Sequence, residues 1–405
     1  MKRLCIPLLA AACLAPAWAQ PTLTLADALH KARQDNPELK VLELEAGAVE
    51  AAGRQAALRP NPSLEYVREG RASKGGTATV QLAIPLELGG KRAARMDAAR
   101  SGNRAAAAEL AAGRARIEAE VAAAFHAAYL AQEHVVLAAQ VSESGRRSSD
   151  AAARRVLAGK VSPVEEARAR VAEANWRIEG VGAQKELDEA RIKLASLLGG
   201  DPRLIGTLAA PGAPEASALQ LETLLDAAPA IERAAAEVEA GSAALKLERA
   251  QGVPDVSLIV GSKREGPERE RVRQNIVGLS IPLPLFNRNQ GAILAAERRA
   301  DKARAELEAT RLRIRAEALQ AHARMQAALQ QERLVRADVL PGARYAAEAA
   351  LKGFEAGKFN YVEVLDAQRT LVQAQAQHLR VLSDFYRAKA DLSRLVGNPD
   401  IKELK

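Results

Sequence analysis

The sequence predicts a mainly α-helical fold with a small β part, in which one helix–hairpin–long helix–long helix unit occurs twice. Three observations carry this reading. Only 3% of the 405 residues are aromatic, and Ala, Arg, Glu, Gln and Leu fill long stretches. That mixture suits long helices packed through small side chains better than a large globular core. Landmarks of the first half recur in the second at a nearly constant offset. Two short stretches in each half switch from a helical period to alternation.

The duplication covers nearly the whole chain. Leu23-Thr24-Leu25 opens the first half and Leu219-Gln220-Leu221 the second. Pro37 is matched by Pro229 and Pro62 by Pro254, both 192 residues on. Ile84-Pro85-Leu86 is matched by Ile281-Pro282-Leu283 at 197. Gly159-Lys160 and Leu198-Gly199 are matched by Gly357-Lys358 and Val396-Gly397 at 198. The growth by five falls inside a hairpin loop, where insertions are tolerated. The expected division is a leader over 1–19, repeats over 20–199 and 219–397, a Pro/Gly/Ala-rich linker over 200–218 and a tail over 398–405.

The leader is read from Lys2 and Arg3, an apolar stretch from Leu4 to Leu14 and the cleavage pattern Ala17-Trp18-Ala19. The apolar stretch is too short to span a bilayer as a helix. Cleavage removes Cys5 and Cys13, which excludes a disulfide framework and a thiolate metal site. The rival reading makes Cys13, after Ala10-Ala11-Ala12, a lipid-anchored N-terminus. Loss of Lys2 and Arg3 lowers the formal net charge from +8 to +6. An exported chain with interleaved charges does not call for nucleic acid as a partner.

In the first half, helices are expected near 25–34 and 38–58, the second ended by Pro60 and Pro62. Strands follow at 63–69 and 77–86, then a helix from about 90 to 158. Gly159 interrupts it, and Ser162 and Pro163 start another helix that runs to 198. The second half repeats this with a helix at 230–250, strands at 255–263 and 273–283, and helices at 288–356 and 360–396. A helix of some seventy residues rises roughly 100 Å, which no compact domain accommodates.

Val80, Leu82 and Ile84 share one face of their strand, and Thr77, Thr79, Gln81 and Ala83 the other. Val277, Leu279 and Ile281 likewise oppose Gly278 and Ser280, although Ile276 breaks the pattern. This is the period of a barrel strand between lipid and water, with those six apolar residues facing lipid. Alternation alone also suits soluble hairpins packed on a helix. Two hairpins cannot close a barrel, and open edges are not tolerated in hydrocarbon. Crossing a membrane therefore requires several chains. A trimer would pool twelve strands in a β-barrel above a tunnel of twelve helical passes.

The long helices carry narrow stripes, such as Ile117, Val121, Ala124 and Ala128, or Leu307, Leu312, Ile314 and Leu319. Polar bands lie between them. Such a helix fits a hollow cylinder wall, with neighbours on two sides and water on the others. A periplasmic coiled-coil adaptor or scaffold explains the helices equally well, but neither the strands nor the duplication.

On these motifs the chain resembles the TolC family of outer-membrane efflux factors. Ile84-Pro-Leu-Glu-Leu-Gly-Gly-Lys-Arg92 and Ile281-Pro-Leu-Pro-Leu-Phe-Asn-Arg-Asn-Gln-Gly-Ala-Ile293 resemble its CzcC-like branch. The resemblance implies a homotrimer in outer-membrane lipid and a tunnel across the periplasm. It further implies a periplasmic adaptor (a membrane fusion protein) and a resistance-nodulation-division (RND) inner-membrane pump for cobalt, zinc or cadmium. A channel for drugs or other small molecules is the alternative. The duct itself would hold no cofactor and catalyse nothing.

The family docks adaptors on its helix-turn-helix tips, which here carry Gly159-Lys160 and Gly357-Lys358. The glycines also serve as helix C-caps. Glu363 and Asp366 share a helical face where the family lines its periplasmic gate with acids. Three copies would ring a constriction with carboxylates, which attracts cations. The helix dipole alone also favours acids there. Phe359 stands where the archetype has an arginine, so the family's salt-bridge latch is not expected. The five histidines, His30, His126, His134, His322 and His378, show no i,i+4 metal spacing.

Overall fold

The computed structural model describes residues 22–70, 76–214, 221–266 and 271–397. The expected leader, Cys13, the tail and part of the linker lie outside the described residues.

Local rules account for most boundaries. Helix α1 (Leu25–Asp35) starts on a reciprocal cap between Thr24 and Asp27. Asn36 caps α2 (Pro37–Ala56), whose first position is the proline. Strands β1 (Ser63–Glu69) and β2 (Thr77–Leu86) form the first hairpin. Helix α3 (Lys91–Leu157) and helix α4 (Pro163–Leu197) follow. A short helix α5 (Leu221–Asp226) precedes the second set. That set is α6 (Pro229–Gln251), β3 (Val256–Glu265), β4 (Val272–Ser280), α7 (Gln290–Leu334), α8 (Leu340–Glu355) and α9 (Tyr361–Val396).

The hairpins join into one antiparallel sheet, ordered β1-β2-β3-β4. β4 ends at Ser280, before the expected 283, because Pro282 and Pro284 cannot donate to a ladder. Ile281 therefore lies one residue beyond the strand. Among the described residues, β1 and β4 each have one edge without a partner.

The helices build a wall rather than a globule. The side chain of Asn36 donates to the Leu197 carbonyl, so α2 begins where α4 ends. Gly397 likewise sits against Pro229, bringing the end of α9 to the start of α6. Each short helix thus extends a longer one into a full-length stave. The order across the wall is α2 with α4, then α3, then α6 with α9, then α7 with α8. Small residues let the staves approach: Gly113 leaves room for Leu42, and a side chain at Gly145 would collide with Trp176. Two buried clusters lie at mid-height, one around Ile117, Val121 and Phe125, the other around Ile314, Ala318 and Phe385.

The helix expected over 288–356 is not continuous. Val335–Val339 is a π-helical turn, in which the Leu340 N–H reaches the Val335 carbonyl, five residues back. The repeat explains it. Buried Ile117, Val121, Ala124 and Ala128 correspond to buried Ile314, Ala318, Ala321 and Met325, all 197 residues on. Buried Gly145, Ser149 and Ala152 correspond to buried Ala343, Ala347 and Ala350, now 198 on. One residue has entered the second helix between these groups. An α-helix that absorbed it directly would turn its lower half by about 100° and expose the buried stripe. The π-turn stores the extra residue locally. Pro341 sits beside it, where its missing N–H and its ring are easiest to accommodate.

Candidate functional site

Two regions carry chemistry beyond the wall itself: the paired helical tips and the sheet. Both tips end on the same backbone motif. Gly159 has φ +66° and Gly357 φ +76°, a left-handed conformation that glycine adopts freely. Lys160 N–H donates to the Arg155 carbonyl and Gly159 N–H to Val156. Lys358 N–H donates to Gly353 and Gly357 N–H to Phe354 in the same pattern. Lys160 and Lys358 are exposed beyond these turns.

The tips are clasped side by side. Phe354 is fully buried, and the Arg155 guanidinium lies 4.5 Å from its ring centre. Arg155 Nη1 also donates to the Phe354 carbonyl at 2.8 Å. Tyr361 and Val364 complete the cluster with Ala151, Ala152 and Ala169. Higher up, Gln368 donates to Ser148 Oγ at 2.8 Å. These clasping residues were not singled out from the sequence. Gln368 and Ser148 sit in polar stretches, and only pairing across 220 residues reveals their burial.

Glu363 and Asp366 are both exposed near the start of α9. Glu363 has a structural duty: its Oε2 accepts the Asn360 N–H at 2.9 Å while Asn360 Oδ1 accepts the Glu363 N–H at 3.0 Å. Asp366 has no such bond from its carboxylate among the described hydrogen bonds. The Phe359 ring lies over Gly353, where a Cβ would collide with it.

In the sheet, the register puts Val80, Leu82, Ile84, Val277 and Leu279 on one face, joined by Leu64, Tyr66, Leu258 and Val260. Val277 is 77% and Leu279 66% exposed in the single chain, a large uncovered apolar surface. The opposite face carries Glu65, Thr77, Thr79, Gln81 and Lys263, with Val67, Ala83, Ile259, Val272 and Ile276 among its apolar exceptions. Below the sheet, Lys91 pairs with Asp255 at 2.8 Å and Arg95 with Glu87 at 2.5 Å. The Arg95 bond holds the Glu87 carboxyl below its usual range.

The structure brings the histidines to no common point. His134 lies 3.0 Å from Glu186, and His378 3.7 Å from Glu332. His126 stacks on Tyr386, with ring centres 4.2 Å apart. Burial, then the nearby Lys389 charge, push its pKa down to about 4. Among the described residues, no group of three or more His, Cys, Asp or Glu is placed to hold a metal ion.

The pattern defining the family "Outer membrane efflux protein" matches residues 28–200 and 221–398. The cobalt-zinc-cadmium resistance protein CzcC of Cupriavidus metallidurans is 39% identical, over 94% of this chain and 92% of the relative. The nickel-cobalt-cadmium resistance protein NccC of Alcaligenes xylosoxydans xylosoxydans is 29% identical, over 66% of this chain and 63% of the relative. The outer membrane protein VceC of Vibrio cholerae superposes with TM-score 0.78 at 21% identity, covering 92% of this chain and 96% of that one.

Proposed function

The chain belongs to the outer membrane efflux protein family, and from that premise we propose that it forms the outer-membrane channel of a tripartite RND-type system exporting heavy-metal cations. The observation that carries the channel is the sheet, which among the described residues has four strands, an apolar face and two unpaired edges. A lone sheet of this kind has no stable place in lipid or water. Three copies joined β4 to β1 close it into twelve strands. No described helix is long and apolar enough to cross a membrane, so the strands are the crossing elements in this reading.

The helical wall closes in the same ring. Its outer staves carry exposed apolar stripes: Val164, Val171 and Ile178 on α4, Leu312 and Leu319 on α7. Each is spaced by seven residues, the repeat of helices that pack side by side. The proposed division is a leader over 1–19, repeats over 20–199 and 219–397, the linker and the tail. Val80, Leu82, Ile84, Val277, Leu279 and Ile281 face lipid. The tips at Gly159-Lys160 and Gly357-Lys358 receive the adaptor hairpins at the periplasmic mouth. The channel binds no cofactor and performs no chemistry; the inner-membrane pump supplies the energy.

The cargo assignment rests on likeness to CzcC and NccC. A deletion strain should become sensitive to cobalt, zinc or cadmium and recover on complementation. Unchanged metal tolerance with new drug sensitivity would move the assignment to organic cargo. Glu363→Gln with Asp366→Asn tests the gate. Glutamine preserves the reciprocal cap, so only charge is lost. Lower cation preference in planar-bilayer recordings is expected; unchanged preference removes the gate role.

A further inference from the structure

The sheet register places three arginines in one transverse row: Arg68 opposite Ala78, Ala78 opposite Arg264, and Arg264 opposite Arg273. All lie on the apolar face, at the hairpin ends farthest from the helices. The next row towards the helices is Tyr66, Val80, Ser262 and Asn275, and the one beyond it is Leu64, Leu82, Val260 and Val277. The face thus passes from charge through an aromatic and polar row to hydrocarbon within about 14 Å of strand. No carboxylate stands on this face of the four described strands. Glu69 and Glu265 point to the other face, where Glu265 pairs with Lys263 at 3.1 Å.

Arg264 and Arg273 are directly opposed like charges, an arrangement that destabilises a sheet unless an anion lies between them. Arg273 donates only to Ser262 Oγ, at 3.0 Å, among the described hydrogen bonds. Guanidinium forks match phosphate oxygens bidentately. Resting on the outer-membrane reading above, we propose that Arg68, Arg264 and Arg273 form a binding site for the phosphate groups of glycolipid headgroups in the outer leaflet. Acyl chains lie along the apolar rows below, and closure of the trimer repeats the arginine row around the rim. The row anchors the barrel vertically and selects phosphorylated lipid as its annulus.

The test uses the full-length mature channel in phosphatidylethanolamine nanodiscs, doped with diphosphoryl lipid A or with the same lipid stripped of both phosphates. Retained lipid is read by native mass spectrometry. The wild type should retain the diphosphoryl form on the order of tenfold better. Arg68→Gln/Arg264→Gln/Arg273→Gln should lose that preference while still forming heat-resistant trimers. If the triple variant does not assemble, Ala78→Glu, which sets a carboxylate inside the row, should produce the same loss. Equal retention of both lipids by the wild type, or an unchanged preference in an assembled variant, overturns the proposal. So does abolition of the preference by millimolar inorganic phosphate, which would mark a site for free anions. A chain that never enters the bilayer would overturn the outer-membrane reading, and this inference with it.

Discussion

Deleting Asp338 from the π-turn tests how the second repeat carries its extra residue. The deletion makes the offset 197 along the whole of this helix, so a continuous α-helix would bury Ile314, Ala318, Ala343 and Ala347 on one stripe, as α3 already does. Two terms then oppose. Restoring a regular turn recovers about 1 kcal/mol of backbone hydrogen bonding. Pro341 would now lie inside an unbroken helix, at about 3 kcal/mol. The single deletion should therefore destabilise by about 2 kcal/mol, lowering the Tm by about 2 °C for a chain of this size. Adding Pro341→Ala should return stability to the wild-type level or above, a coupling of about 3 kcal/mol. The assay is thermal loss of far-UV circular dichroism for the two single variants, the double variant and the wild type. Equal melting of the deletion with and without Pro341 would refute the argument. So would loss of helical content in the double variant, since the repeat register would then not be what the π-turn protects.

Other perturbations follow from the same geometry. His126 has its pKa depressed to about 4 by burial, so it stays neutral in the fold while the unfolded residue protonates near 6.5. Stability should fall as pH drops from about 6.5 towards 4, and His126→Phe should flatten that part of a Tm-versus-pH curve. Phe354→Ala empties the centre of the tip cluster at a local cost of about 3–5 kcal/mol. Faster amide exchange over 350–365, with 117–128 unchanged, would show it. Gly159→Ala and Gly357→Ala each force a left-handed alanine, at about 1–2 kcal/mol apiece, read as earlier proteolysis at the tip concerned.

Much of the architecture was legible because long-range order here is written in local chemistry. Prolines at 37, 62, 229 and 254, the Gly-Lys turns and the alternation over 77–86 each state a boundary without reference to distant residues. The duplication then supplied the correspondence between halves. What stayed hidden depends on pairing or counting across the chain. The shift from 197 to 198 was visible as a number, but a one-residue insertion does not say where a helix will store it. The joining of α2 to α4 rests on the Asn36–Leu197 hydrogen bond across 161 residues. The arginine row appears only once the register is known, because Arg68, Arg264 and Arg273 lie on three strands from two repeats. Glu363 was legible as a first-turn acid, yet its bond to the Asn360 N–H, which limits how freely it can serve a gate, is a matter of rotamer.

The central claim is that identical chains pool their strands around one water-filled axis. Single-molecule photobleaching of the bilayer-inserted channel, with one dye per chain at a cysteine introduced on the exposed tip, tests it most directly. The account predicts three bleaching steps for every particle that conducts. Conducting particles that bleach in one step, or labelled chains that remain monomeric in solution, would contradict it.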